Sequence, residues 1–155
     1  MKLALIQIRF DALKSKLPEL KTYTSKVKEL GGMNKAVAPL FIRDFIDAMD
    51  KASDFYSEII QIKILLDDQL TELRNIAFFD RSKAYCDIKG EKATSDARNY
   101  AADLDPELLN AKELFAEVSA YHEILKNKLG LFKMTHDDAK KIAYDDGNQT
   151  HFVGV

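Results

Sequence analysis

Apolar positions recur in alternating steps of three and four along most of this chain. The plainest run is Leu108, Ala111, Phe115, Val118, His122, Leu125, Leu129, Phe132, His136, Ala139 and Ala143. That spacing keeps one seam on one helix face, so the run predicts a long arm whose seam faces a partner helix. A second run, Ile42, Phe45, Met49, Ala52, Tyr56 and Ile59, resumes after Lys63 as Leu66, Leu70, Leu73 and Ala77. Neither glycine nor proline falls between Pro39 and Gly90. A continuous helix over that stretch would hold about 51 residues and reach ~75 Å at the usual rise, a length that calls for a partner helix.

Breaks and caps divide the pattern. Leu3, Ile6, Phe10, Leu13 and Leu17 fit a helix, although Ile6, Ile8 and Phe10 also alternate as a strand would. Pro18 marks a kink or a first turn, after which Leu20, Tyr23, Val27 and Leu30 continue the helical period to Gly31-Gly32. Asn34 is a candidate cap ahead of Pro39. Gly90 suits a helix C-terminus with positive φ, Thr94 a cap for a short helix through Ala102, and Asp105-Pro106-Glu107 a strong start for the returning arm. A break near Met134 is expected, with Thr135 and Asp138 restarting the helix. The expected fold is all-α, a long helical hairpin or coiled-coil-like bundle. It comprises a basic N-terminal helical segment over 1–33, a hairpin assembly domain over 34–144 and a tail over 145–155.

Charge adds a second level of organisation. Residues 1–35 carry eight bases against three acids, whereas residues 36–72 carry three against eight. Two oppositely charged neighbours can simply pack together and pair, or the basic segment can meet phosphates or an acidic partner. The longest apolar runs fall far short of the ~20 residues a membrane span needs, and the N-terminus is interrupted by Gln7, Arg9 and Asp11 before a signal-peptide core can develop. The single cysteine, Cys86, fits a reducing compartment. A cytoplasmic location, with no membrane partner, is the expectation.

The residues offer little catalytic chemistry. No glycine spacing fits a phosphate-cradling loop, and His122, His136 and His151 lack metal-ligand spacing, so no cofactor, no metal site and no catalytic residue is expected. The most suggestive stretch interleaves bases with rings: Arg74, Phe78, Phe79, Arg81, Lys83, Tyr85, Lys89, Lys92, Arg98 and Tyr100. Single-stranded nucleic acid is held by such mixtures, with cations along the phosphates and rings under the bases. Acids at Asp80, Asp87, Glu91 and Asp96 oppose that reading, and rings at helical spacing also serve as core.

At this point the sequence resembles the UvsY-type recombination mediators of tailed phages. The resemblance rests on Ser82-Lys83-Ala84-Tyr85-Cys86-Asp87-Ile88-Lys89-Gly90, the segment Thr94 to Ala102 and the returning arm, about half of the chain. It departs from them at Tyr85 and Ile88, where a further base and a second tyrosine would stand. The resemblance implies a non-enzymatic phage protein that forms homo-oligomers, binds single-stranded DNA, and acts in recombination or repair beside a recombinase and a single-strand-binding protein. Arg81, Lys83 and Lys89 are the phosphate contacts it implies, within a candidate set of Arg74, Arg81, Lys83, Lys89, Lys92 and Arg98. The candidate oligomer seam is Phe115, Val118, His122, Leu125, Leu129 and Phe132. The alternative is a structural or adaptor coiled-coil protein, a virion or scaffold component, with no nucleic-acid role.

Overall fold

The computed structural model describes residues 2–144. These residues are helical throughout apart from short connections, and no strand occurs among them. The helices are α1 (Lys2–Lys16), α2 (Glu19–Val27), α3 (Ala38–Ile76), α4 (Ser82–Lys89), α5 (Ser95–Asp103) and α6 (Pro106–Tyr144). Among the described residues, no helix is long and apolar enough to cross a membrane. The expected tail, 145–155, and His151 lie outside the described residues.

Two compact units make up the described chain, one from 2–16 with 56–124, the other from 17–55 with 125–144. In the first unit α1 buries Ile6, Phe10 and Leu13 and leaves Ile8 64% exposed, so the helical reading of that segment holds over the strand reading. Phe10 meets Tyr121 edge to face at 5.4 Å between ring centroids. Ile59, Ile62, Leu66 and Leu73 of α3, with Leu108, Ala111, Leu114 and Val118 of α6, complete that core. Full burial of each Leu, Ile, Val or Phe side chain among them favours folding by roughly 1.5–3 kcal/mol. In the second unit, Leu20, Phe45, Leu125 and Phe132 are fully buried, and the Phe132 ring lies 5.9 Å from Phe45 and 6.2 Å from Tyr23.

The breaks follow local chemistry. Pro18 disfavours helical backbone at Leu17, and α1 accordingly ends at Lys16. Gly31 and Gly32 close a tight 3₁₀ turn, Lys28–Gly32. The Asn34 side chain then accepts from the Ala36 and Val37 N–H groups at 3.0 and 3.3 Å, and Pro39 sits in the first turn of α3, where its missing N–H is harmless. Lys63 does not interrupt α3; its ammonium lies over the Phe115 ring at 5.6 Å. The break expected near Met134 is absent. The Thr135 hydroxyl donates to the Leu131 carbonyl at 2.9 Å, so Thr135 stays inside α6 instead of capping a new helix.

The helical path from Ala38 does run to Lys89, but not with one period. Ala77–Arg81 form a π-helical turn. The Ser82 N–H donates to Ala77, five residues back, and the Phe78 carbonyl thereby left over is taken by the Ser82 hydroxyl. Buried positions accordingly step from Ala77 by five to Ser82 and then by four to Cys86. Gly90 closes α4 with φ of 68°, a left-handed cap that strains any residue with a Cβ.

Candidate nucleic-acid interface

The basic and aromatic stretch is placed by the π turn, by α4 and α5, and by the start of α6. Thr94 caps α5 by accepting from the Ala97 N–H at 3.3 Å. Asp105 caps α6, its Oδ1 accepting from the Glu107 and Leu108 N–H groups at 3.1 and 3.0 Å. The same carboxylate takes two hydrogen bonds from Arg81 Nη1, at 3.0 and 2.9 Å, while Arg81 Nη2 donates to Glu107 Oε2 at 2.7 Å. One arginine therefore fastens the end of the π turn to the first turn of α6. Burial alone would raise the Asp105 carboxyl. The hydrogen bonds from Arg81 and the two N–H groups, with the guanidinium charge, outweigh it and hold the carboxyl below its usual value. The hydrogen bonds that Arg81 donates to Glu107 and Asp105 in turn raise its own value.

Arg81 thus differs from the other five candidate contacts. Its donors are committed to carboxylates, whereas Arg74, Lys83, Lys89 and Lys92 are exposed and Arg98 is half-buried. Arg98 Nε is buried and has no hydrogen-bond partner. The rings divide similarly. Phe78 is half-buried against a small core of Leu73, Ala77, Ala102, Leu108 and Ala111, and Phe79 meets it edge to face at 4.9 Å while remaining 63% exposed. Tyr85 is half-buried beneath the Lys89 ammonium, 5.8 Å from the ring centroid, and Tyr100 is 62% exposed. Asp80, Asp87, Glu91 and Asp96 are all exposed among these groups.

The sequence reading missed the carboxylate side of this arrangement. Asp105 and Glu107 were legible as a helix start, and their closeness to Arg81 depends on the π turn, which nothing in the apolar period announces.

The seam positions lie inside the chain. In the first unit Val118 is fully buried, Phe115 is half-buried under Lys63, and His122 stacks on Tyr56 with centroids 5.0 Å apart. In the second unit Leu125 and Phe132 are fully buried and Leu129 is half-buried. Val118, Leu125 and Phe132 are thus fully covered within their own units, whereas Phe115, His122 and Leu129 keep part of their surface. His122 and His136 each place Nδ1 near the following carboxylate, Glu123 at 3.2 Å and Asp137 at 3.1 Å.

The basic N-terminal stretch pairs in good part with the acidic helix. Lys2 meets Glu72 at 2.8 Å, and Arg9 and Lys16 reach Glu58 at 3.8 and 3.9 Å in the first unit. In the second, Lys26 meets Asp44 and Lys51 meets Glu19. A depression of about 490 Å³ between α1 and α6 is lined by Leu3, Ala4, Gln7, Asn110, Glu113, Leu114 and Glu117. Glu117 is paired there with Lys14 at 2.9 Å. Among the described residues, no three His, Cys, Asp or Glu side chains converge as a metal site. Comparison with protein-family models, with curated proteins and with solved structures gives no match.

Proposed function

We propose that this chain is a non-enzymatic accessory protein that binds single-stranded DNA at the α4–α5 turn, in a recombination-mediator role of the UvsY type, and that it works as a homo-oligomer in the cytoplasm of a phage-infected cell. The observation that carries the reading is the exposure of two rings, Phe79 and Tyr100, in the stretch that also exposes Lys83, Lys89 and Lys92. Rings free on one face can stack under bases, worth roughly 1–3 kcal/mol each, while mobile ammonium groups follow the phosphates. Arg81 stands outside the contact set because its guanidinium already holds Asp105 and Glu107. A recombinase and a single-strand-binding protein are the protein partners this role requires.

Fluorescence anisotropy of a labelled oligothymidylate at low and moderate salt tests the reading, with light-scattering mass on the same samples. Wild-type protein should bind with an affinity that falls steeply as salt rises, and Lys83→Glu with Lys92→Glu should abolish binding without loss of helix. Absence of binding at low salt would sink the proposal.

One observation favours the second reading, an adaptor or scaffold component. Ile88 is 86% exposed in the middle of this surface, and once Arg81 is set aside five bases face four acids between Arg74 and Tyr100. A mixed, partly apolar surface of that kind suits a protein partner.

A further inference from the structure

One side of the first unit exposes four large aliphatic side chains together. Leu5 and Ile8 of α1 and Ile64 and Leu65 of α3 are each between 45% and 64% exposed. Leu5 and Leu65 line one groove of about 320 Å³ between the two helices, together with Asp68. The helices run antiparallel there, since Lys2 meets Glu72 at 2.8 Å and Arg9 Nη2 donates to Gln61 Oε1 at 2.7 Å. Leu5 and Ile8 therefore lie level with Ile64 and Leu65, and the four make one patch. A contiguous apolar patch marks an interaction surface, as a single exposed leucine does not.

The polar residues within the patch complement themselves. Gln61 and Asp68 stand seven residues apart, so they share one line along α3, with Ile64 and Leu65 to either side of it. Arg9 occupies the Gln61 oxygen, which leaves both amide N–H groups to donate elsewhere. Asp68 is exposed and has no ion pair among the described residues. An antiparallel two-fold crossing centred between Ile64 and Leu65 sets Gln61 of each copy opposite Asp68 of the other. Glu72, the next acid along this line, then falls opposite Ser57, so no acid meets an acid. The same axis sets Leu5 opposite Ile8, because the α1 pair is centred at the same level. A parallel crossing would instead bring Asp68 against Asp68, a like-charge contact that disfavours it.

We infer that α1 and α3 of the first unit dock on the same two helices of a second copy, antiparallel, as a symmetric dimer. The occupant is a copy because this chain itself supplies donor and acceptor in matching register, twice over, around the aliphatic patch. The inference rests on the self-association in the function proposed above and not on DNA binding at the α4–α5 turn.

The test is sedimentation mass of the full chain without nucleic acid, over a range of concentrations, with circular dichroism of the same samples. The wild-type mass should rise to that of a dimer or a multiple of it. Leu65→Glu and Ile8→Lys, each at an exposed position, should lower that mass while keeping the wild-type helix content. Gln61→Glu keeps the acceptor for Arg9 but sets an acid against Asp68, and should weaken association by about tenfold or more. Adding Asp68→Lys to Gln61→Glu should restore it, since the two new charges then attract across the axis. A wild-type chain that stays monomeric overturns the inference, as does an association that survives both Leu65→Glu and Ile8→Lys. Failure of the double variant to recover overturns the antiparallel alignment. A dimer that meets these expectations and ignores an oligothymidylate upholds the inference and removes the DNA-binding reading.

Discussion

The turn region from Ala77 to Leu108 and the aromatic layer of the second unit are secured by different physics. In the turn, one guanidinium, two carboxylates and a set of caps hold short helices together at the surface. In the aromatic layer, Phe45 and Phe132 are fully buried against Tyr23, and directional bonds are secondary. The polar region depends on pH and on the exact placement of a few atoms, and the apolar one depends on volume.

The largest effect should come from the apolar side. Phe132→Ala removes a ring of zero exposure and should cost about 3–5 kcal/mol in denaturant unfolding, with no dependence on mild acid. On the polar side, Asp105→Ala removes the α6 cap together with the anchor of Arg81 and should cost about 2–3 kcal/mol. Asp105→Asn keeps the capping oxygen and should cost less, which separates cap from ion pair. If the two substitutions prove equally destabilising, the cap contributes nothing measurable and the turn is held by charge alone.

Acid sharpens the contrast. The Asp105 carboxyl titrates lower in the folded chain than in the unfolded one, so its stabilisation is complete above the unfolded value of about 3.9 and is lost as pH falls through the lower folded value. Hydrogen exchange should therefore show amides at the start of α6 losing protection in acid before those around Phe45. Equal loss in both places would erase the distinction. The smallest effects concern two glycines of opposite need. Gly90→Ala meets a positive φ and should cost about 1 kcal/mol, whereas Gly130→Ala places a Cβ in open space inside α6 and should add up to about 1 kcal/mol.

Much of the fold was legible because the features behind it are local. The 3-4 period of α6 marked the positions that are buried or half-buried from Leu108 to Ala143, and Gly90, Thr94 and Asp105 announced their caps by chemistry that acts within a few residues. What covers the seam was not legible, since a 3-4 pattern is the same whether the partner helix belongs to this chain or to a copy. The candidate contacts were legible as a composition and not as an arrangement. Arg81 and Lys83 are nearly adjacent in sequence, yet one is tied to two carboxylates and the other is exposed, because the π turn advances the buried face by one residue.

The same advance of the buried face gives the protein an internal chemical clock. It carries Cys86 to zero exposure, and Cys86 is the chain's single thiol. An alkylating reagent can therefore reach sulfur only during excursions that lift α4 from its neighbours. The labelling rate of unmodified protein would time those excursions at one address, without any engineered probe.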